Sequence, residues 1–283
     1  MTESGAIPVR PMTSAELETV LDWAAGEGWN PGLDDARHFH AADPDGFLVA
    51  LDGAEPVAAV SVVRLGPWHG FLGLFLCRAD RRGQGFGTAL WRAGLARLAA
   101  GRAIGLDGVT AQQARYAREG FAYHHRTLRF VGAARGAVAP RLHPIAPDEL
   151  NDAIELDQRA NGLERARFLA GWLTPDSNRH VLVRRRGGAL KAVGAMRRCR
   201  VGWKIGPLIA EHPDDAAMLA GDLISRAEGE QVTLDVPEPN GAAIAIAEAL
   251  GLARVFETAR MWRGDGPRAD MTANFGICSL ELG

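Results

Sequence analysis

The residues of this sequence best suited to chemistry are three glycines at alternate positions, Gly83, Gly85 and Gly87, set among Arg81, Arg82 and Thr88. Residues 71–77 ahead of them form an apolar run, and Leu90, Trp91, Leu95 and Leu98 behind them recur at helical spacing. That order predicts a strand, a glycine turn and a helix. Glycines leave backbone N–H groups uncovered, and the following helix directs the positive end of its dipole at the same spot. The turn suits an anion, phosphate above all, although such a glycine run also occurs as a plain tight turn.

Two familiar glycine loops do not fit. A P-loop needs Gly-Lys followed by Ser or Thr, and Gly87 runs into Thr88 with no lysine. A dinucleotide fingerprint needs G-x-G-x-x-G with an acidic residue closing the next strand, and here the glycines run G-x-G-x-G. The pattern Arg82-x-x-Gly85-x-Gly87, after an apolar strand and before an amphipathic helix, closely resembles the pyrophosphate loop of the GNAT superfamily of acetyl-CoA-dependent N-acetyltransferases.

The elements that must position this loop can be read in chain order. Residues 7–10 predict a strand, and Thr13 or Ser14 caps a helix over 15–26 with Glu16 and Glu18 favourably placed for its dipole. A turn at 27–32 precedes a second helix over 33–41. Two β-rich runs, 47–51 and 56–65, join at Asp52-Gly53, and the loop strand is third in this meander. Beyond the loop helix come a short buried strand at 103–107, a helix over 112–119 ended by Gly120, and a strand at 123–131. This order matches that of the GNAT fold, so the resemblance covers about 7–131.

Residues 132–144 are rich in Ala, Gly and Pro and read as a linker. The remainder of the chain repeats the first half. Gly120-Phe121-Ala122 precedes Thr127 and Arg129, and Gly251-Leu252-Ala253 precedes Thr258 and Arg260 at the same offsets; Leu106-Asp107 has its counterpart in Leu234-Asp235. A repeat this long points to a duplicated domain, the alternative being two unrelated α/β halves. The expected fold is thus α/β (α+β): a mixed, mostly antiparallel central sheet flanked by helices, in two GNAT-like domains, 1–131 and 145–266, with a tail over 267–283. Where the first copy has its glycine loop, the second has Glu211-His212-Pro213-Asp214-Asp215, which would repel a pyrophosphate. One CoA site is expected, in the first domain, with the second domain as scaffold or as a wall of the acceptor pocket. The segments around Trp29, Asp107 and Gln112 also resemble a subgroup of bacterial GNAT proteins carrying a second GNAT-like domain.

The resemblance implies roles for individual residues. Acetyl-CoA is the implied co-substrate. Its pantetheine arm would pair with the backbone of Phe75, Leu76 and Cys77, and its pyrophosphate would lie on Arg82, Gly83, Gln84, Gly85, Phe86, Gly87 and Thr88. Phe75 to Cys77 can equally be an ordinary core strand. Tyr116, four residues before Gly120-Phe121, stands where the family commonly keeps the acid that protonates the leaving sulfur; the alternative is a packing tyrosine. The second copy has Ala247 there. An asparagine common seven residues earlier is Val109 in the first copy and Asn240 in the second. Asp107 is the candidate base, or else a turn former beside Gly108, and His69 and Glu27 are further candidates. Trp29, Asn30 and Asp34, between the first two helices, are the candidate acceptor-binding residues, with Trp29 equally suited to anchoring the core.

The net charge of −2 gives no footprint for nucleic acid or an anionic membrane. Three scattered cysteines, Cys77, Cys199 and Cys278, show no metal-ligand spacing, so no metal is expected, and a reducing cytoplasm is the simplest compartment. Residues 1–23 do not read as a signal peptide, and no run approaches the roughly 20 apolar residues of a membrane span. The expected activity is acetyl transfer to a primary amine of a small molecule. The alternatives are a silent acyl-CoA-binding sensor and acetylation of a protein N-terminus or lysine. A homodimer is left open.

Overall fold

The computed structural model describes residues 6–98, 101–134 and 142–283. Its first half runs β1 (Val9–Pro11), α1 (Ser14–Gly26), α2 (Asp35–Ala42), β2 (Phe47–Asp52), β3 (Glu55–Leu65), β4 (His69–Cys77), α3 (Phe86–Leu98), β5 (Ala103–Val109), α4 (Gln113–Arg118) and β6 (Ala122–Ala133). The second half repeats that order as β7 (His143–Pro144), α5 (Leu150–Asn161), α6 (Ala166–Trp172), β8 (Arg179–Arg186), β9 (Ala189–Arg198), β10 (Trp203–Ala210), α7 (Pro213–Ser225), β11 (Gln231–Pro237), α8 (Gly241–Ala249) and β12 (Ala253–Arg263). A last strand, β13 (Asn274–Gly276), lies beyond the repeat.

Local chemistry accounts for the expected elements. Thr13 caps α1: its Oγ1 accepts from the Glu16 amide at 3.2 Å, while the Glu16 carboxylate accepts from the Thr13 amide at 2.8 Å. β2 and β3 alternate between two layers. Val49, Ala59 and Val63 face the helices α1, α2, α5 and α6 in one core, whereas Leu48, Val60 and Val62 face Leu90, Trp91 and Leu98 of α3 in another. α7 and α8 cover the second half on a third core. α1 and α2 share their core with Phe168 and Trp172 of α6, so neither half encloses its apolar surface alone.

The strand order is β1-β2-β3-β4-β5-β12-β6-β11-β10-β9-β8-β7. β4–β5 and β10–β11 are parallel pairs, and every other neighbour along this path is antiparallel. The order reads alike from either edge, which gives the sheet an approximate twofold between β6 and β12. Each half has sent its last strand across that axis. β12 lies beside β5, β6 lies beside β11, and Thr127 stands opposite Thr258 at the centre.

Two sequence expectations change. Residues 267–283 are no tail: β13 pairs antiparallel with β10, and Leu282 is fully buried. The expected linker is shorter, since 132–133 belong to β6 and 143–144 to β7, with 135–141 outside the described residues. Residues 1–5, part of the segment weighed as a signal peptide, also lie outside. No helix among the described residues is long and apolar enough to cross a membrane.

Candidate active site

β4 and β5 pair in parallel only from His69 opposite Ala103 to Leu72 opposite Leu106, and beyond that point they part. On its other edge β4 bulges. Gly73 stands opposite Ser61 and Leu76 opposite Ala59, so Leu74 and Phe75 face the single residue Val60. Leu74 takes φ 43°, a left-handed conformation that costs a leucine about 1–2 kcal/mol and is held by its burial. The bulge leaves the backbone of Phe75, Leu76 and Cys77 along the fork between the strands, and all three line a cavity of about 930 Å³.

The glycine loop forms the outer end of that cavity. Gly83 and Gly85 adopt φ 79° and 95°, which only glycine takes without strain, and α3 starts at Phe86, leaving its first N–H groups without intrahelical partners. Gly83, Gly85, Phe86, Gly87 and Thr88 line the cavity, together with Arg81 and Arg82. Gln84 does not: its side chain donates to the Asp80 carbonyl at 3.1 Å and braces the loop from behind. Arg82 reaches the Cys77 carbonyl at 3.0 Å and also Glu27. Bare amides, a helix N-terminus and two arginines are a donor set that fits a pyrophosphate.

Further in, Tyr116 is 7% exposed and stacks on Trp91 at 5.5 Å. Its hydroxyl has no hydrogen bond among the described residues, and burial pushes its pKa up from the usual tyrosine value, so the phenol stays protonated at neutral pH. Arg115, a cavity residue that the spacing did not single out, lies 5.3 Å from the Phe75 ring centroid and 5.5 Å from that of Trp91.

The candidate base Asp107 is differently employed. Its two oxygens accept from Arg260 Nε at 2.9 Å and Nη2 at 2.8 Å, and its side chain is wholly buried. Burial pushes its pKa up, against the pull of the Arg260 guanidinium, and taking a proton would mean breaking a buried bidentate pair. The other candidates are also engaged. Glu27 pairs with Arg82, and His69 packs edge-on to Trp262 at 5.8 Å outside the cavity.

The acceptor candidates separate in the structure. Trp29 lines the cavity, and its carbonyl accepts from Lys204 Nζ at 3.0 Å. Asn30 borders the cavity, but its amide is spent on the second half, donating to the Val201 carbonyl at 2.8 Å and accepting from the Val201 amide at 2.9 Å. Asp34 lies outside the cavity; it accepts from Asn178 at 3.2 Å and pairs with Arg37 at 3.7 Å. The rest of the wall comes from the second half and the last residues. Lys204 of β10, Phe256 of β12 and Glu281 line it with Arg129 of β6. Lys204 is buried, and desolvation draws its pKa below the ordinary lysine value. Its only sequence signal was a single charge inside an apolar strand; Glu281 gave none.

The equivalent fork in the second half is closed. β10 and β11 pair over Trp203 to Ile205, and where they part β13 fills the gap. Ile277 donates to the Asp235 carbonyl at 3.0 Å, and Asn240 Nδ2 holds the Asn274 carbonyl at 2.9 Å. A Cβ on Gly206 would come 2.1 Å from the Ile277 carbonyl oxygen, so no second chain or cofactor arm fits there. Ala247, opposite number of Tyr116, is fully buried.

Residues 14–121 match the acetyltransferase (GNAT) family and residues 153–276 an acetyltransferase (GNAT) domain. The chain is 32% identical over 277 residues to holothin acyltransferase of Pseudoalteromonas sp. (strain SANK 73390), covering 97% of this chain and 94% of that one. Two solved structures share the fold. One is a candidate acetyltransferase from Pyrococcus horikoshii, at TM-score 0.82 and 21% identity over 100% of this chain and 98% of the other. The second is a tandem GNAT protein from the clavulanic acid biosynthesis pathway, at 0.61 and 18% over 90% and 97%. The chain belongs to the GNAT acyltransferases and carries two GNAT domains in tandem. Membership implies an acyl-CoA co-substrate.

Proposed function

We propose that this protein is an N-acetyltransferase that moves acetyl from acetyl-CoA to a primary amine of a small molecule. The observation that carries the reading is the continuity of one cavity, from the glycine loop along the β4–β5 fork to a wall built by the second half. The loop amides of Gly83 to Thr88, with Arg81 and Arg82, would hold the pyrophosphate, and the freed backbone of Phe75 to Cys77 the pantetheine. Bound there, acetyl-CoA supplies the activated thioester. Tyr116 stands protonated beside the path and is the acid for the departing sulfur. The second half walls the acceptor end with Lys204 and Phe256, which favours a small acceptor over an extended protein chain.

The similarity to an enzyme named for holothin makes holothin the first acceptor to try. The test is release of free CoA from acetyl-, propionyl- and hexanoyl-CoA with holothin and a panel of primary amines, with the acylated product read by mass spectrometry. Turnover that requires the amine and favours acetyl-CoA supports the proposal. Binding of acetyl-CoA without transfer to any amine would leave a sensor. Transfer only to peptides would make it a protein acetyltransferase.

A further inference from the structure

The stretch after β13 runs out of the closed fork of the second half and into the open fork of the first. Ile277 is pinned to the Asp235 carbonyl at 3.0 Å, the Cys278 carbonyl accepts from Arg197 at 3.2 Å, and Leu282 donates to Ser279 Oγ at 3.2 Å. Leu282 is fully buried, and Arg165 holds the Gly283 carbonyl. Between these anchors the backbone of Glu281 lies against Gly73. A Cβ on that glycine would come 2.3 Å from the Glu281 carbonyl oxygen, which Ser61 Oγ also reaches at 3.4 Å. Gly73 directly follows Leu72, the last β4 residue paired with β5, and directly precedes the bulge. Glu281 therefore sits at the foot of the fork.

Among the described residues, three carboxylates line the cavity. Glu27 is taken by Arg82 and Asp107 by Arg260, whereas Glu281 has no ion pair or side-chain hydrogen bond among the described residues. It is near enough to Arg129, Arg197 and Lys204 to strengthen their hold on their protons. Arg129 and Arg197 are paired with Asp235 and Asp35, and the Lys204 ammonium donates to the Trp29 carbonyl.

We infer that Glu281 is the general base for the acceptor amine. The inference rests on the amine-acylation reading above. Glu281 takes a proton from the amine as its nitrogen bonds to the acyl carbon. The carbon–sulfur bond breaks, and the sulfur takes a proton from Tyr116. Glu281 then returns its proton to solvent, and Tyr116 is reprotonated from it. One segment thus closes the silent fork and arms the working one.

The test compares the full-length wild type with Glu281→Gln and Glu281→Asp, using acetyl-CoA with holothin, or with the best amine of the panel. The expected result is a kcat about 10²- to 10⁴-fold lower in Glu281→Gln, with KM for acetyl-CoA and the thermal midpoint unchanged. Glu281→Asp, which keeps a carboxylate, should recover at least tenfold of that loss. A Glu281→Gln enzyme within about twofold of wild-type kcat overturns the inference. So does a loss that comes with failed acetyl-CoA binding or a lowered thermal midpoint, or one that Glu281→Asp shares in full, since any of these assigns the segment a packing role. A wild type that acylates no amine would instead fail the functional reading itself.

Discussion

Arg260 of β12 lays two guanidinium nitrogens on the two carboxylate oxygens of Asp107 in β5, across 153 residues of sequence, at 2.9 and 2.8 Å. Arg129 of β6 does the same to Asp235 of β11, at 2.7 Å for both contacts. In each pair the partners are also direct cross-strand neighbours. The arginine of one repeat always meets the aspartate of the other. These pairs bind each exchanged strand to its new half and fix its register, because a slip of one residue would bury both charges apart.

Asp107→Asn should accordingly act on stability before it acts on chemistry. Leaving Arg260 buried and unpaired costs about 3–5 kcal/mol, and Asp235→Asn should cost a similar amount through Arg129. Urea denaturation of both variants checks this. If Asp107→Asn unfolded at the wild-type midpoint while kcat fell a hundredfold, the carboxylate would be a base after all.

Gly87→Glu should abolish acetyl-CoA binding in a folded protein. Unlike Gly83 and Gly85, Gly87 lies inside α3 without a positive φ, and the nearest neighbour to a Cβ there is Phe75 Cζ at an ordinary 3.4 Å. The added carboxylate would compete for the helix N-terminus that the pyrophosphate needs. Calorimetric titration should show one site in the wild type and none in the variant. Wild-type affinity in Gly87→Glu would move the co-substrate off this loop.

Tyr116→Phe removes only the hydroxyl. The ring stacking on Trp91 survives, so acetyl-CoA should bind as before while kcat falls about 10²- to 10⁴-fold. Full turnover in this variant would make Tyr116 a packing residue.

Acid should loosen the strand exchange through His125. It is buried beside Arg260, and desolvation holds its pKa down at about 3. A depressed histidine pKa means that the unfolded chain binds the extra proton first, so stability is full above about pH 6.5 and falls as the pH drops toward 3. At pH 5 the loss from this residue is about 2 kcal/mol. His125→Gln should flatten the slope of stability against pH over that window, measured as urea midpoints from pH 7.5 to 4.5. An unchanged slope would place the titrating group elsewhere.

Much of the local structure was legible in the residues. The Thr13–Glu16 cap, the alternation along β2 and β3, the glycine turn into α3 and the position of Tyr116 before Gly120 all depend on neighbours a few positions apart. So did the absence of a second phosphate loop, since Pro213, Asp214 and Asp215 open α7 where glycines would be needed. The matching offsets of Thr127 and Arg129 with Thr258 and Arg260 revealed the duplication itself.

Which arginine meets which aspartate could not be read that way. Both repeats offer the same partners at the same spacing, and only the shared core of α1, α2 and α6, together with the pairing of β6 with β12, decides that they cross. Asp34 was placed near an acceptor by position in the chain, yet in space it lies outside the cavity and grips Asn178 of the other half, while Asn30 lines the cavity with its amide spent on Val201. Glu281 sat in a stretch with no periodicity or motif. Its role depends on a fork emptied in one half and filled in the other, a matter of strand pairing over some two hundred residues. The sequence by itself determined the elements and their repeat, because those follow from short-range sterics and hydrophobic period. Tertiary structure decided who pairs with whom, because identical edges can be told apart only by what packs against them.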